Sequence, residues 1–230
     1  LQQRVMALMG LTMAYKPEEV VSYKPEYSWN YEIGIIWHNN HVRAEAVAFF
    51  IDCHDQQLTM FPPGTVTGRI MTNAGRSRSS GVELSGHWDV CDDLTFNATY
   101  GFTHATFRRY DNGREDFAGK RVPYAPAHTL FVQGLWTTPW QPAGMSTTVD
   151  LTLRGTGDIM WNEANTLSQP FYALAGGSFT FKAEKWSLKL WTENFTGTRY
   201  NTFYFQSMSR DFVQQGRPIT FGATLRLNLE

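Results

Sequence analysis

The chain is short of most features that mark the common soluble and helical-membrane classes. No window approaches the roughly 18 consecutive apolar residues that a transmembrane helix needs. Charged residues make up only 18% of 230 positions and sum to −1. That excludes the basic face of a general nucleic-acid binder and the high net charge of a disordered chain. Cysteine is nearly absent, and Cys53 and Cys91 cannot make a disulfide framework. The chain does not open with a basic n-region, an apolar h-region and a cleavage site. A secreted or outer-membrane protein needs such a leader, so either it was removed or, as favoured here, Leu1 begins the later part of something longer.

Aromatic residues are plentiful, at 15%, and they follow a strict rhythm. Leu94, Phe96, Ala98, Tyr100 and Phe102 alternate with Thr95, Asn97, Thr99, Gly101 and Thr103. Period-2 alternation is a strand whose two faces meet different media. Ordinary strands average about 5–6 residues, whereas a tilted strand crossing a bilayer needs about 9–11. The same pattern recurs over ten segments, approximately 4–15, 27–38, 42–56, 76–90, 94–107, 127–138, 146–158, 170–183, 186–199 and 217–229. Such alternation hides its apolar half from hydropathy averages, which explains a mean hydropathy of only −0.35.

The connections alternate in length. Short ones fall at 38–41, 91–93, 138–144 and 183–185, and long ones at 16–26, 57–75, 108–126, 157–169 and 201–216. Up-and-down barrels of the outer membrane have tight turns at one end and long loops at the other. A Greek-key sandwich would mix the two. Trp37, Trp88, Trp136, Trp140 and Trp186 all lie near short turns, where an interfacial belt places rings with an apolar body and a polar N–H. The fold class expected is all-β, an antiparallel up-and-down transmembrane β-barrel. Polar residues such as Glu32, Glu83, Asp150, Arg154 and Arg226 should face its lumen, because charge in hydrocarbon must be paired or wet. Cys53 and Cys91 fall at opposite ends of neighbouring strands and should stay free thiols.

No catalytic constellation stands out, and no metal or cofactor is expected. His38 and His41 flank Asn39-Asn40, which is ordinary turn chemistry. Asp111-Asn112-Gly113 with Glu115-Asp116 lacks the spacing of a calcium loop and suits a turn at a loop tip. Asn97 and Asn194 begin glycosylation-like triplets, but both fall in expected strands. Arg69, Arg76, Arg78, Arg108, Arg109 and Arg114 cluster, on this topology, toward the end that carries the long connections, and their planar forks suit carboxylate- or catecholate-rich anions. Trp161, Phe203, Tyr204 and Phe205 offer rings for stacking. The ligand-binding candidates are Arg76, Arg108, Arg109, Arg114, Trp161 and Tyr204. The plainer reading of the same residues is solvated loop charge, contact with acidic outer-leaflet lipid, and an upper aromatic belt.

Several stretches, in order, carry a resemblance. Residues 23–34, YKPEYSWNYEIG, resemble the P-E-x-x-x-x-x-E-x-G signature of TonB-dependent outer-membrane receptors. Phe49-Phe50-Ile51-Asp52, Asn73-Ala74-Gly75 and Ser80-Gly81-Val82-Glu83 are similar to the family's next hairpin. Residues 119–128, GKRVPYAPAH, resemble its descent from an outer loop, and 188–200, LKLWTENFTGTRY, its penultimate strand. Gln215-Gly216-Arg217-Pro218 then opens a last strand like the family's. The chain departs from the family at its end, Leu227-Asn228-Leu229-Glu230, where an aromatic is usual.

The resemblance implies a barrel of about 22 strands around an N-terminal plug, with residues 1–230 as its C-terminal portion of ten strands. The plug and the earlier strands would then lie outside this chain. The function implied is non-enzymatic import of an iron chelate, a siderophore or haem, across the outer membrane of a Gram-negative bacterium. TonB would energise it through the N-terminal region. Cobalamin or a glycan is the alternative cargo. A structural or adhesive barrel is the alternative role, and a soluble β-sandwich binding module comes third. Ten strands alone would leave two edges, near 4–15 and 217–229, so the isolated chain should close a smaller barrel or pair edge to edge with a second copy.

Overall fold

The computed structural model describes residues 24–60, 70–207 and 210–228. Nine strands form one sheet. They are β1 (Tyr27–His38), β2 (Val42–Met60), β3 (Ile70–Cys91), β4 (Leu94–Arg109), β5 (His128–Thr138), β6 (Ser146–Gly157), β9 (Tyr172–Lys182), β10 (Trp186–Glu193) and β13 (Thr220–Leu227). They neighbour one another in that order, an up-and-down path. Two small hairpins lie in the long connections: β7 (Ile159–Met160) with β8 (Ser168–Gln169), and β11 (Asn201–Ser207) with β12 (Arg210–Gln215).

The short turns form where the sequence supplies turn chemistry. Asn39 Oδ1 accepts from the backbone N–H of His41 and Val42 at 2.8 and 2.7 Å, so Asn39-Asn40 close the β1–β2 turn. Between β5 and β6 the chain reverses through Ala143 and Gly144, both at positive φ. Beyond the turns the register is regular: Leu94 pairs with Trp136, Trp136 with Val149, and Val149 with Phe179.

The expected segment over 4–15, and with it one of the two expected edges, lies outside the described residues. The pair β2 and β3 runs further than expected, to Met60 and from Ile70, so much of the 57–75 connection is strand. The strand expected over 186–199 stops at Glu193. Asn194 turns the chain there at φ 51°. Its buried amide donates to the carbonyls of Thr198 and Arg217 and accepts from the Thr198 N–H. Asn194 thus sits in a turn rather than in a strand. Both cysteines are free thiols.

The chain divides into two compact units. One gathers residues through Tyr31, Phe50–Ser79 and Ala105–Val122, and the other holds Glu32–Phe49, Ser80–His104 and Pro123 onward. Within the long strands of the second unit, many large apolar side chains are on the outside. Ile33 is 76% exposed and Phe221 84%, and Trp37, Leu84 and Phe96 are all exposed. A sandwich would bury these residues in a dry centre. An apolar face of this extent is stable when it meets hydrocarbon rather than water. Trp37, Trp88, Trp136 and Trp140 are likewise exposed beside the short turns.

The alternate positions are polar and joined across strands. His87 Nδ1 lies 2.8 Å from Asn97 Oδ1, and the Asn97 amide donates to Gln133 Oε1 at 3.4 Å. Gln133 donates in turn to Asp150 at 3.0 Å. Glu83 borders a hollow with Ser85 and Thr99, and Asp150 and Arg154 share another with Lys189, Glu193 and Thr224. Arg154 also lies over the Phe131 ring at 5.7 Å.

Candidate functional site

In the first unit, the far end of β4 and the connection after it are built around three rings. Phe107 is 2% exposed and meets Tyr110 edge-on at 4.9 Å, and Tyr110 meets Phe117 at 5.2 Å. The Phe117 N–H donates to the Tyr110 carbonyl at 2.7 Å, and Asp111 bridges to Asp116. At the tip, Asp111 Oδ1 accepts from the Gly113 N–H, and Asn112 Oδ1 accepts from the N–H groups of Arg114 and Glu115. The acidic stretch is therefore a folded hairpin tip made by Asx turns. Arg108 and Arg109, on opposite faces of β4, and Arg114 at the tip are all exposed on this single element. The structure thus places three of the four candidate arginines on the far end of β4 and the connection after it.

Arg76 takes another place. It binds the buried carboxylate of Asp52 as a fork, Nε to Oδ1 at 3.0 Å and Nη2 to Oδ2 at 2.6 Å. Arg78 adds Nε and Nη2 to the same Oδ2, each at 3.2 Å. These guanidinium hydrogen bonds hold the Asp52 carboxyl well below the usual carboxylate range, against burial, which acts to raise it. His54 Nε2 stands 3.5 Å from Asp52 Oδ1. Nearby, Asn73 ties β3 to its neighbours, donating to the carbonyls of Lys24 and Asp55 and accepting from the Lys24 N–H. Asp52 and His54 escaped the sequence reading because they look like an extension of an alternating strand. Their only signal was a carboxylate on β2 and two arginines on β3, the next strand of the same hairpin. Arg69 lies outside the described residues.

In the second unit, Trp161 and Tyr204 are at 6% and 8% exposure, in a small core with Ile159 and Leu167. They were expected to offer rings to a ligand, and here they support two others. Tyr124, at φ 61°, donates its hydroxyl to the Tyr204 carbonyl and meets Trp161 edge-on at 5.4 Å. Phe203 stacks on Tyr124 at 5.6 Å, and the two rings are exposed at 42% and 46%. Asp211, beside the Tyr204 hydroxyl, pushes that group's pKa up to about 12.

A second feature of this unit went unread in the sequence. An open cleft of about 530 Å³ is lined by Gln169, Arg199, Tyr200, Gln215 and Arg217. Tyr200 stacks on Tyr172 at 4.5 Å, and a Cβ at Gly216 would collide with the Tyr200 ring, so glycine is required where the backbone passes. Two arginines separated by a strand pair and a loop give no local motif, so only the fold could bring them to one cleft.

Comparison with known proteins bears on all of this. A family model described as TonB dependent receptor-like, beta-barrel, matches residues 14–217. The Pesticin receptor of Yersinia pestis is 26% identical over 206 residues, covering 88% of this chain and 29% of that protein. The crystal structure of the ferric yersiniabactin uptake receptor FyuA from Yersinia pestis superposes with a TM-score of 0.76 at 22% identity, covering 89% of this chain and 30% of that one. Ferric citrate transporter FecA gives 0.69 at 20% identity, covering 88% and 32%. The chain therefore spans less than a third of the length of the relatives it matches.

Proposed function

The chain belongs to the TonB-dependent receptor β-barrel family, and from that premise we propose that it is part of a Gram-negative outer-membrane transporter that imports an iron chelate, energised through TonB. The observation that carries this reading is the division of the wall. One face is apolar and exposed, the other is polar and cross-linked by hydrogen bonds, and the long connections carry cations held on small aromatic cores. Ferric chelates of carboxylate or phenolate ligands are anionic, and exposed guanidinium forks pair with such oxygens.

Arg108, Arg109 and Arg114 are the anion-binding residues we assign. In the other unit, Tyr124 and Phe203 are the stacking surface, with Trp161 and Tyr204 as its support. FyuA is named for ferric yersiniabactin and FecA for ferric citrate, so these two chelates are the probes. In the intact receptor, Arg108→Ala/Arg109→Ala should weaken binding of one of them by about tenfold, the scale of one lost charge-assisted pair. Unchanged affinity for both would remove that pair from the site. Uptake that persists in a strain without TonB would remove the energisation step, and chelate that binds but is never taken up would remove the transport reading and favour an adhesive barrel.

A further inference from the structure

One face of the first unit changes character along its strands. By alternation Tyr27, Trp29 and Tyr31 share a face of β1, and they are exposed at 49, 59 and 60%. On β2 the same face continues through Phe50, Asp52 and His54. Tyr31 meets Phe50 at 6.3 Å, and Tyr27 stacks on His54 at 5.1 Å with the planes 4° apart. On β3 it takes in Arg76 and Arg78, the latter 5.8 Å from the Phe50 ring centroid. Cys53, one residue over, turns the other way toward Glu26 and Ser77. Along β1 the face of Tyr27 and Tyr31 is also that of Ile33, Ile35 and Trp37, the lipid side of the strand.

The height of the cluster follows from strand geometry. Asp52 is ten residues beyond Val42, where β2 leaves its short turn. At about 3.3 Å per residue that is ~33 Å along the strand, or ~25 Å of height at a tilt of 35–45°. An outer-membrane barrel has an apolar band of about 25 Å. On the outer-membrane placement proposed above, Asp52, His54, Arg76 and Arg78 would stand just past the hydrocarbon, beside Tyr27 and Tyr31, on the side that faces lipid. A solute held in the lumen meets the opposite face.

The charge and geometry are specific. Two guanidinium groups share one carboxylate, so the cluster keeps a net positive charge. Asp52 binds the Nε and Nη2 edge of each. The Nη1 groups have no acceptor among the described residues, and both side chains remain more than a third exposed. The carboxylate thus orients two planar forks while leaving donors for a second oxyanion. We infer that Asp52, Arg76 and Arg78 form a seat for the phosphate of an outer-leaflet lipid headgroup, with Asp52 as its brace and Tyr27, Tyr31 and Phe50 bordering it. Arg76, expected among the ligand residues, is thereby a lipid contact. The inference rests on the outer-membrane placement proposed above.

The intact receptor tests it. Fractionation first establishes that the receptor is in the outer membrane, and a negative result there would count against that placement rather than the seat. Delipidated receptor is then incubated with diphosphorylated lipid A, with its dephosphorylated form, or with inorganic phosphate, and bound molecules are counted by native mass spectrometry. Diphosphorylated lipid A should be retained at least about tenfold better than the dephosphorylated form, as for loss of charge-assisted pairs. Arg78→Gln, which leaves Asp52 its Arg76 fork and so keeps the fold, should lower retention by about fivefold, and Arg76→Gln/Arg78→Gln further. Arg154→Gln, on the polar face, should not change it. Equal retention of the two lipids, or no effect of Arg78→Gln, would overturn the inference. So would inorganic phosphate binding as tightly as the lipid, which would make this a free-anion site.

Discussion

Phe221 on β13 is 84% exposed and Phe107 on β4 is 2% exposed. The same side chain is handled in opposite ways in the strand wall and in a long connection. In the wall, apolar side chains point away from the protein on every second residue, and the polar ones pair with each other, as His87, Asn97, Gln133 and Asp150 do. Its solvent is expected to be lipid. At the far end of β4 and in the connection after it, Phe107, Tyr110 and Phe117 pack on each other and the charged residues are exposed, as in a small soluble domain. The β4–β5 connection and the end of β4 thus have a core of their own.

The comparison can be broken at several points, all tested in the intact receptor. Phe107→Ala should have the largest effect. Removing a fully buried Phe costs about 3–5 kcal/mol, and limited proteolysis should cut within 110–122 while the strands stay intact. Protection equal to wild type would show that this core does not hold the connection. Next, Ile33→Arg places a charge on the lipid side and should cost about 2–4 kcal/mol near the bilayer midplane. Folding yield into lipid vesicles should fall, whereas Thr99→Arg on the polar face should fold normally. If both behave alike, the two faces do not see different media.

Gly222→Ala is smaller. A Cβ there would lie 2.5 Å from the Trp191 ring, and such overpacking costs about 1–3 kcal/mol. A shift in tryptophan emission would report the displaced indole. The smallest effect expected is that of pH on the Asp52 cluster. The folded pKa of Asp52 lies below its unfolded value of about 3.9. Its stabilisation is therefore complete above that value and is lost only as pH falls through the lower folded pKa. Between pH 7 and pH 5, Asp52→Asn and wild type should show parallel stability profiles, and they should converge only in strong acid. Divergence between pH 7 and pH 5 that persists when His54 is replaced by Gln in both proteins would mean that Asp52 is not held by Arg76 and Arg78.

The alternation of the wall was legible in the sequence, though not every strand end was. The β1 bounds, Tyr27–His38, match the expected 27–38, because one face of that strand alternates without a break. The end of β10 was missed, since a buried Asn at positive φ ends a strand without Gly or Pro to signal it. The candidate site was legible in its chemistry and not in its placement. Arg76 and Arg108 look alike in the sequence, yet one is locked to Asp52 and the other is exposed on a different element. Trp161 and Tyr204 look like stacking rings, and they are the buried floor under Tyr124 and Phe203.

By itself the sequence determined which side chains share a face and where the chain turns back, because a strand's two-residue period and a turn's backbone needs are local. Only the tertiary structure decided which guanidinium meets a carboxylate, which ring is covered, and which two arginines border one cleft. Those outcomes depend on register and on contacts between residues far apart in the chain, and no local pattern records them.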